Sequence, residues 1–73
     1  MKRRIYLETD TDVVKFVNEI SKIPPSVKIF VVDGEGLRVS ARSLIGMMYA
    51  MTFNELWCES SEDIDKYIRD FAD

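Results

Sequence analysis

The spacing of hydrophobic residues changes repeatedly along this chain between two periods. A period of two residues is typical of a strand with one buried face, and a period of three to four is typical of an amphipathic helix. The segments follow one another in the order β-α-β-β-α-β-α. With 73 residues, the chain can form one domain with one thin core, so we expect residues 1–73 to be a single domain.

Four segments have the strand pattern. Arg3–Glu8 alternates polar and apolar residues, Val27–Val32 is β-branched and aromatic, and Leu37–Ser40 alternates again. The turn Asp33–Gly36 between the last two contains two glycines that can adopt positive φ, which predicts a β-hairpin. A fourth strand is predicted over Asn54–Glu59.

Three segments have the helical pattern. Thr9 and Asp12 approximate a capping box at the start of the first helix, which must end before Pro24-Pro25. Ser43 can cap a second, short helix that is apolar nearly all round. The last helix is predicted to open on Ser60-Ser61-Glu62-Asp63.

This pattern predicts an α+β fold in two layers, because amphipathic helices must cover the apolar face of an antiparallel sheet. We expect an open-faced sandwich in which three helices cover one face of a four-stranded antiparallel sheet. The other face then has no covering layer. A plain ferredoxin-like domain with a spare C-terminal helix is the alternative.

Charge and cysteine content restrict the function. The net charge is −3 and the only basic run is Lys2–Arg4, which argues against a nucleic-acid partner. Cys58 is the only cysteine, so we expect no internal disulfide and no metal site. We also expect neither a membrane span nor a signal peptide, and therefore a cytoplasmic location. The carboxylates are scattered without an acid–base pair, so we predict no enzyme activity and no cofactor.

Two stretches of residues, together with the element order, resemble HPr, the phosphocarrier of the sugar phosphotransferase system. Val13–Val17 is similar to the start of HPr's first helix, and Gly36–Met48 is similar to its third strand, regulatory serine and second helix. The acidic run Glu59–Asp63 also fits. The resemblance extends from about Thr9 to the end of the chain, and it implies a sheet with the strand order first, fourth, second, third.

One property of HPr is excluded here. HPr carries a phosphoryl group on a histidine that opens its first helix, with an arginine two residues later. The matching positions are Thr9 and Thr11, and the chain contains no histidine. Asp10 and Asp12 also place negative charge where an anion would need the positive end of the helix. The resemblance therefore implies a degenerate, non-catalytic member similar to the HPr paralogue Crh.

The resemblance implies a regulatory site and a partner surface on the second helix. Ser43 matches the serine that a dedicated kinase phosphorylates, and Arg42 beside it could pair with the phosphate. As an N-cap, Ser43 would also stabilise the helix without any signalling role. The residues that match HPr's partner-binding surface, with Arg42, are Leu44, Ile45, Met47 and Met48. A loosely packed core is the alternative for these apolar side chains.

Strand alternation predicts a second candidate surface on the uncovered face of the sheet. Its apolar members are Tyr6, Phe30, Val32 and Trp57. Such a patch predicts an interface, with a second copy of the chain as the partner. A shift of one residue in strand register would instead place some of these rings in the core.

These observations leave three functions open. The first is an HPr-like regulatory or protein-binding module that is regulated at Ser43. If it is Crh-like, its partners are the HPr kinase and a transcriptional co-repressor partner. The alternative is a small structural or assembly protein that is unrelated to sugar transport and self-associates, for example as a homodimer. A ligand-binding ferredoxin-like domain ranks last, because no polar pocket-lining cluster is evident.

Overall fold

The computed structural model describes residues 1–72. The strands are β1 (Lys2–Ile5), β2 (Ile29–Val32), β3 (Arg38–Ser40) and β4 (Leu56–Ser60). The helices are α1 (Asp10–Ile20), α2 (Leu44–Ala50) and α3 (Asp65–Ile68), and one turn of 3-10 helix, Arg69–Phe71, follows α3. The predicted order β-α-β-β-α-β-α is confirmed.

The four strands form one open antiparallel sheet in the order β1-β4-β2-β3. This is the order that the resemblance to HPr implies. In the centre of the sheet, β4 places Trp57 opposite Arg4 of β1 and opposite Val32 of β2. The strands therefore run in the register that the alternation predicted, and no slip of one residue occurs.

One core lies between the sheet and the helices. Val31 and Cys58 lie opposite each other on the inner face and are fully buried, as is Phe16 of α1. The ring of Phe71 packs edge-on against Phe16, with the ring centroids 5.3 Å apart. The other buried apolar residues are Ile5, Leu7, Val13, Ile20, Ile23, Val27, Ile29, Ala41, Met47, Ala50, Leu56, Ile64 and Ile68.

A complete capping box starts α1, as predicted. The Thr9 hydroxyl accepts a hydrogen bond from the Asp12 N–H at 3.2 Å, and the Asp12 carboxylate accepts one from the Thr9 N–H, also at 3.2 Å. At the other end, Ser21 is the C-cap, and the helix stops before Pro24. The predicted boundaries of α1 are therefore confirmed.

The hairpin turn between β2 and β3 is organised by an aspartate. Asp33 is buried, and its carboxylate accepts hydrogen bonds from the N–H groups of Glu35 (2.7 Å) and Leu37 (3.1 Å). Gly34 and Gly36 have φ values of 86° and 110°, which an L-residue adopts only with strain. The predicted positive φ at this turn is confirmed.

The last helix begins later than predicted. Ser60 is the final residue of β4, and the Ser61 hydroxyl accepts a hydrogen bond from the Lys28 N–H at 3.0 Å. The Ser61 N–H donates in turn to the Lys28 carbonyl at 2.9 Å. Ser61 is therefore paired with the segment before β2 and does not cap the last helix. The Asp63 carboxylate accepts a hydrogen bond from the Asp65 N–H at the start of that helix.

Candidate functional site

At the start of α1, which the resemblance matches to the histidine position of HPr, the capping box places the negative charge of Asp12. The Thr9 hydroxyl is occupied by the capping box, and Thr11 is exposed on the first turn. The N–H groups of Glu8 (2.9 Å) and Thr9 donate to the carboxylate of Asp12, and these bonds lower the pKa of Asp12. The negative charge of Asp12 therefore occupies the place that a phosphoryl group would need.

Ser43 is the N-cap of α2, as predicted. Its hydroxyl accepts a hydrogen bond from the Gly46 N–H at 3.0 Å. The residue is exposed, so the hydroxyl is accessible at the protein surface. A stabilising cap and a chemically available hydroxyl are thus combined in one side chain.

The Arg42 guanidinium is engaged at the end of α1, and its predicted pairing with a phosphate on Ser43 stays a prediction. Its guanidinium donates hydrogen bonds to four backbone carbonyls at and after the end of α1. The acceptors are Ile20 (3.4 Å), Ile23 (3.2 Å), Pro24 (2.7 Å) and Val27 (2.9 Å). We call this arrangement the Arg42 clamp. It joins the start of α2 to the end of α1.

An uncharged apolar surface lies on α2. We define the α2 patch as Leu44, Ile45, Met48 and Tyr49, which are 47, 84, 41 and 53% exposed. The spacing of these residues places them on one side of the helix. Met47 is fully buried. The prediction that it belongs to the partner surface is therefore wrong, because its side chain faces the core.

Sequence reasoning did not assign Tyr49 to this surface. Its ring packs edge-on against Phe53, with the centroids 5.8 Å apart. Tyr49 lies four residues after Ile45, and that helical spacing was the signal that could have identified it.

Three of the four predicted apolar residues of the uncovered sheet face, Phe30, Val32 and Trp57, lie on that face. Val32 and Trp57 are cross-strand neighbours, Phe30 lies on the same side of β2, and Tyr6 lies just beyond the end of β1. Only Tyr6 is classed as exposed, at 46%, and the other three are half-buried. The Trp57 indole N–H donates to the Glu55 carboxylate at 2.9 Å.

Basic side chains cover these rings, which the sequence reasoning did not consider. The guanidinium carbon of Arg38 lies 3.7 Å from the centroid of the Phe30 ring. The Lys2 ammonium and the Arg4 guanidinium carbon lie 5.5 Å and 5.6 Å from the Trp57 ring. Strand alternation places these basic residues on the same face as the rings, so the sequence pattern could have identified them.

Neither the cysteine thiol nor the largest-volume groove described below has the features of a catalytic or binding site. Burial raises the pKa of the Cys58 thiol to about 12, so it is protonated and unreactive at neutral pH. A groove of about 750 Å³ between α1 and the 3-10 turn is flanked by Tyr6 and Phe71, and none of the charged side chains that line it is buried. Residues 1–72 contain no cluster of three or more potential metal ligands.

Comparisons with protein-family models, curated proteins and solved structures find no significant match to this chain. Among the described helices, none is both long and apolar enough to cross a membrane. The assignment to the HPr family therefore stays a hypothesis that rests on the residues and the fold.

We expect Asp12→Asn to weaken the pH dependence of the free energy of unfolding in the acid range. The pKa of Asp12 is lowered in the folded protein, so its contribution is present above the unfolded pKa of 3.8 and is lost as pH falls through the folded value. Urea unfolding followed by Trp57 fluorescence should show a wild-type advantage at pH 7 that shrinks below about pH 4. The control Asp10→Asn removes a charge from the same turn but leaves the capping box intact. If Asp10→Asn loses as much stability with the same pH dependence as Asp12→Asn, the capping box is not the source of that stability.

Arg42→Lys should destabilise the fold by about 2 kcal/mol, since an ammonium cannot reach four carbonyls that a planar guanidinium spans. Equilibrium urea unfolding measures the change. Arg69→Lys is the matched control, because Arg69 is exposed and its side chain makes no hydrogen bond within residues 1–72. Equal stability of wild type and Arg42→Lys would contradict a stabilising clamp.

Proposed function

We propose that this protein is a non-catalytic, HPr-like binding module that docks a partner protein through the α2 patch. The observation that carries the proposal is the exposure of Ile45, at 84%, on a helix without a charged residue. A large apolar side chain that is presented in this way has no role in the core of its own chain. A contiguous group of such side chains on a small protein usually marks a partner surface.

The chemistry of the α2 patch suits a protein partner. Leu44 and Ile45 offer aliphatic area, and Met48 can adapt its shape to the opposite surface. Tyr49 supplies an aromatic ring of the kind that is enriched among residues with large effects on binding. The patch has no basic residue for an anionic partner to recognise.

Two observations support the HPr-like part of the proposal. The strand order β1-β4-β2-β3 is the order expected of that family. Ser43 is also the N-cap of α2, at the position that matches the regulatory serine. The Thr9 capping box and the absence of histidine exclude a phosphohistidine carrier, so the module would be Crh-like, with the HPr kinase and a transcriptional co-repressor as its partners. We place it in the cytoplasm because its single cysteine is buried and unpaired.

Ser43 is the proposed regulatory position because it borders the α2 patch. Phosphorylation would add about two negative charges directly beside Leu44, and the partner's apolar surface would have to desolvate them. The Arg42 guanidinium is engaged in the clamp, so it would not neutralise the phosphate unless the clamp opened. We therefore propose that phosphorylation changes partner choice at this surface.

Self-association through the sheet face, the alternative function, has weaker support. A two-fold symmetric dimer would bring each copy of this face against the same face of its partner. The cations Lys2, Arg4 and Arg38 outnumber the carboxylates Glu55 and Glu59 on this face. A symmetric pairing would therefore bring two net-positive surfaces together, which opposes association.

HPr kinase with ATP should add one phosphoryl group to the wild-type protein and none to Ser43→Ala, as measured by intact mass. Ser43→Ala should also lower the free energy of unfolding by about 1 kcal/mol through loss of the cap. If the wild type stays unmodified under conditions that phosphorylate a true HPr, the link to the kinase fails and only the cap role remains.

Ile45→Asp should abolish partner capture without destabilising the fold, because Ile45 makes little contact with the core. The immobilised wild type and variant would be exposed to lysate of the native host, and the captured proteins compared by mass spectrometry. The matched control is Val14→Asp, since Val14 is also an exposed aliphatic residue, at 44%, but lies on α1. Capture that survives Ile45→Asp, or that is lost equally in Val14→Asp, would contradict docking at the α2 patch.

A further inference from the structure

The uncovered face of the sheet carries a positive charge that the whole chain does not. Its paired positions form two rows across the four strands: Lys2, Glu59, Phe30 and Ser40, then Arg4, Trp57, Val32 and Arg38. These rows contain three cations and one carboxylate, and the same alternation adds Lys28 and Glu55, which makes four cations and two carboxylates on this face. The net charge of −3 is the sum over the whole chain and conceals this local excess of positive charge. A partner that binds this face interacts with the local charge.

Ion pairs neutralise only part of this charge. Lys2 lies 3.6 Å from the carboxylate of Glu59, and Arg4 lies 3.5 Å from that of Glu55. Arg38 forms no ion pair with any residue in 1–72, and neither does Lys28. Lys28 directly precedes β2 and pairs with Ser61, so continued alternation places it on the same face as Phe30. These two cations are available to an anion from outside.

The cations and rings are arranged as a platform. Arg38 lies in contact with Phe30, at 3.7 Å, which holds its guanidinium over the ring. A guanidinium held in this way can stack a base on its outer face and donate N–H groups to a phosphate. Trp57 lies on the neighbouring central strand, diagonally across from Phe30 at a separation of about 7–8 Å.

We propose that this face binds single-stranded nucleic acid. Phosphates would contact Arg38 and Lys28. Bases would stack on the outer face of the Arg38 guanidinium and, with Lys2 and Arg4 displaced from its ring, on Trp57. An antiparallel sheet with aromatic residues on an open face is a suitable platform for unpaired bases. An acidic peptide would pair with the cations without using the rings, and a symmetric homodimer would bring two net-positive faces together.

The test uses the full chain and a fluorescein-labelled oligonucleotide of about ten nucleotides with mixed sequence, as RNA and as DNA. Anisotropy measures binding at about 50 and about 200 mM salt, and unlabelled oligonucleotide should quench Trp57 fluorescence as bases stack on it. Arg38→Glu should weaken binding roughly tenfold or more at the lower salt and reduce the salt dependence by about one phosphate contact. The matched control, Arg69→Glu, changes the net charge equally on the 3-10 turn and should bind within about twofold of wild type.

In the binding assay, four outcomes would overturn the proposal: no binding by the folded wild type at low salt, equal losses in Arg38→Glu and Arg69→Glu, binding without quenching of Trp57, or full competition by poly-glutamate of equal length. Full competition by poly-glutamate would indicate an acidic peptide as the partner. Sedimentation velocity without oligonucleotide tests the dimer, and self-association that Arg38→Glu alters would also overturn it. Because Ile45→Asp leaves the sheet face intact, it should bind the oligonucleotide like the wild type, so this proposal and docking at the α2 patch fail independently.

Discussion

The helices cover only one face of a four-stranded sheet, and most of the structure follows from that constraint. Every strand must place apolar residues toward the helices, as Val31 and Cys58 do at the centre of the sheet. Every second residue then lies on a face that no other part of the described chain covers. The protein fills those positions with rings and with long basic side chains such as Arg38, whose aliphatic stems shield apolar area while their charges stay in water. The uncovered face is therefore amphipathic, which keeps it compatible with water.

The elements and their caps could be predicted from the sequence because they depend on local interactions. The capping box of Thr9 and Asp12 involves residues three positions apart, and the turn at Asp33 involves residues at most four apart. Strand alternation also fixed which face each residue occupies. The strand order followed from the resemblance to HPr and could not have been derived from these local patterns.

The features that were missed depend on contacts between distant parts of the chain. Ser61 pairs with Lys28, which lies 33 positions away, and this pairing extends the last strand into a segment with the composition of a helix start. The carbonyls that Arg42 binds lie 15 to 22 positions before it. Met47 looked equivalent to its neighbours in sequence, and only the packing of α2 on the sheet separates its buried position from the exposed one of Met48.

The Arg42 clamp has a consequence for how the molecule opens. Arg42, which lies next to α2, donates to three carbonyl groups of the segment between α1 and β2 and to the last carbonyl group of α1. The end of α1 and the start of α2 therefore belong to one cooperative unit, in which neither can fray without releasing the other. Amide hydrogens on both sides of the clamp should exchange with solvent through a shared opening event, although they lie in separate helices. A partner that grips α2 would thereby also slow the fraying of α1.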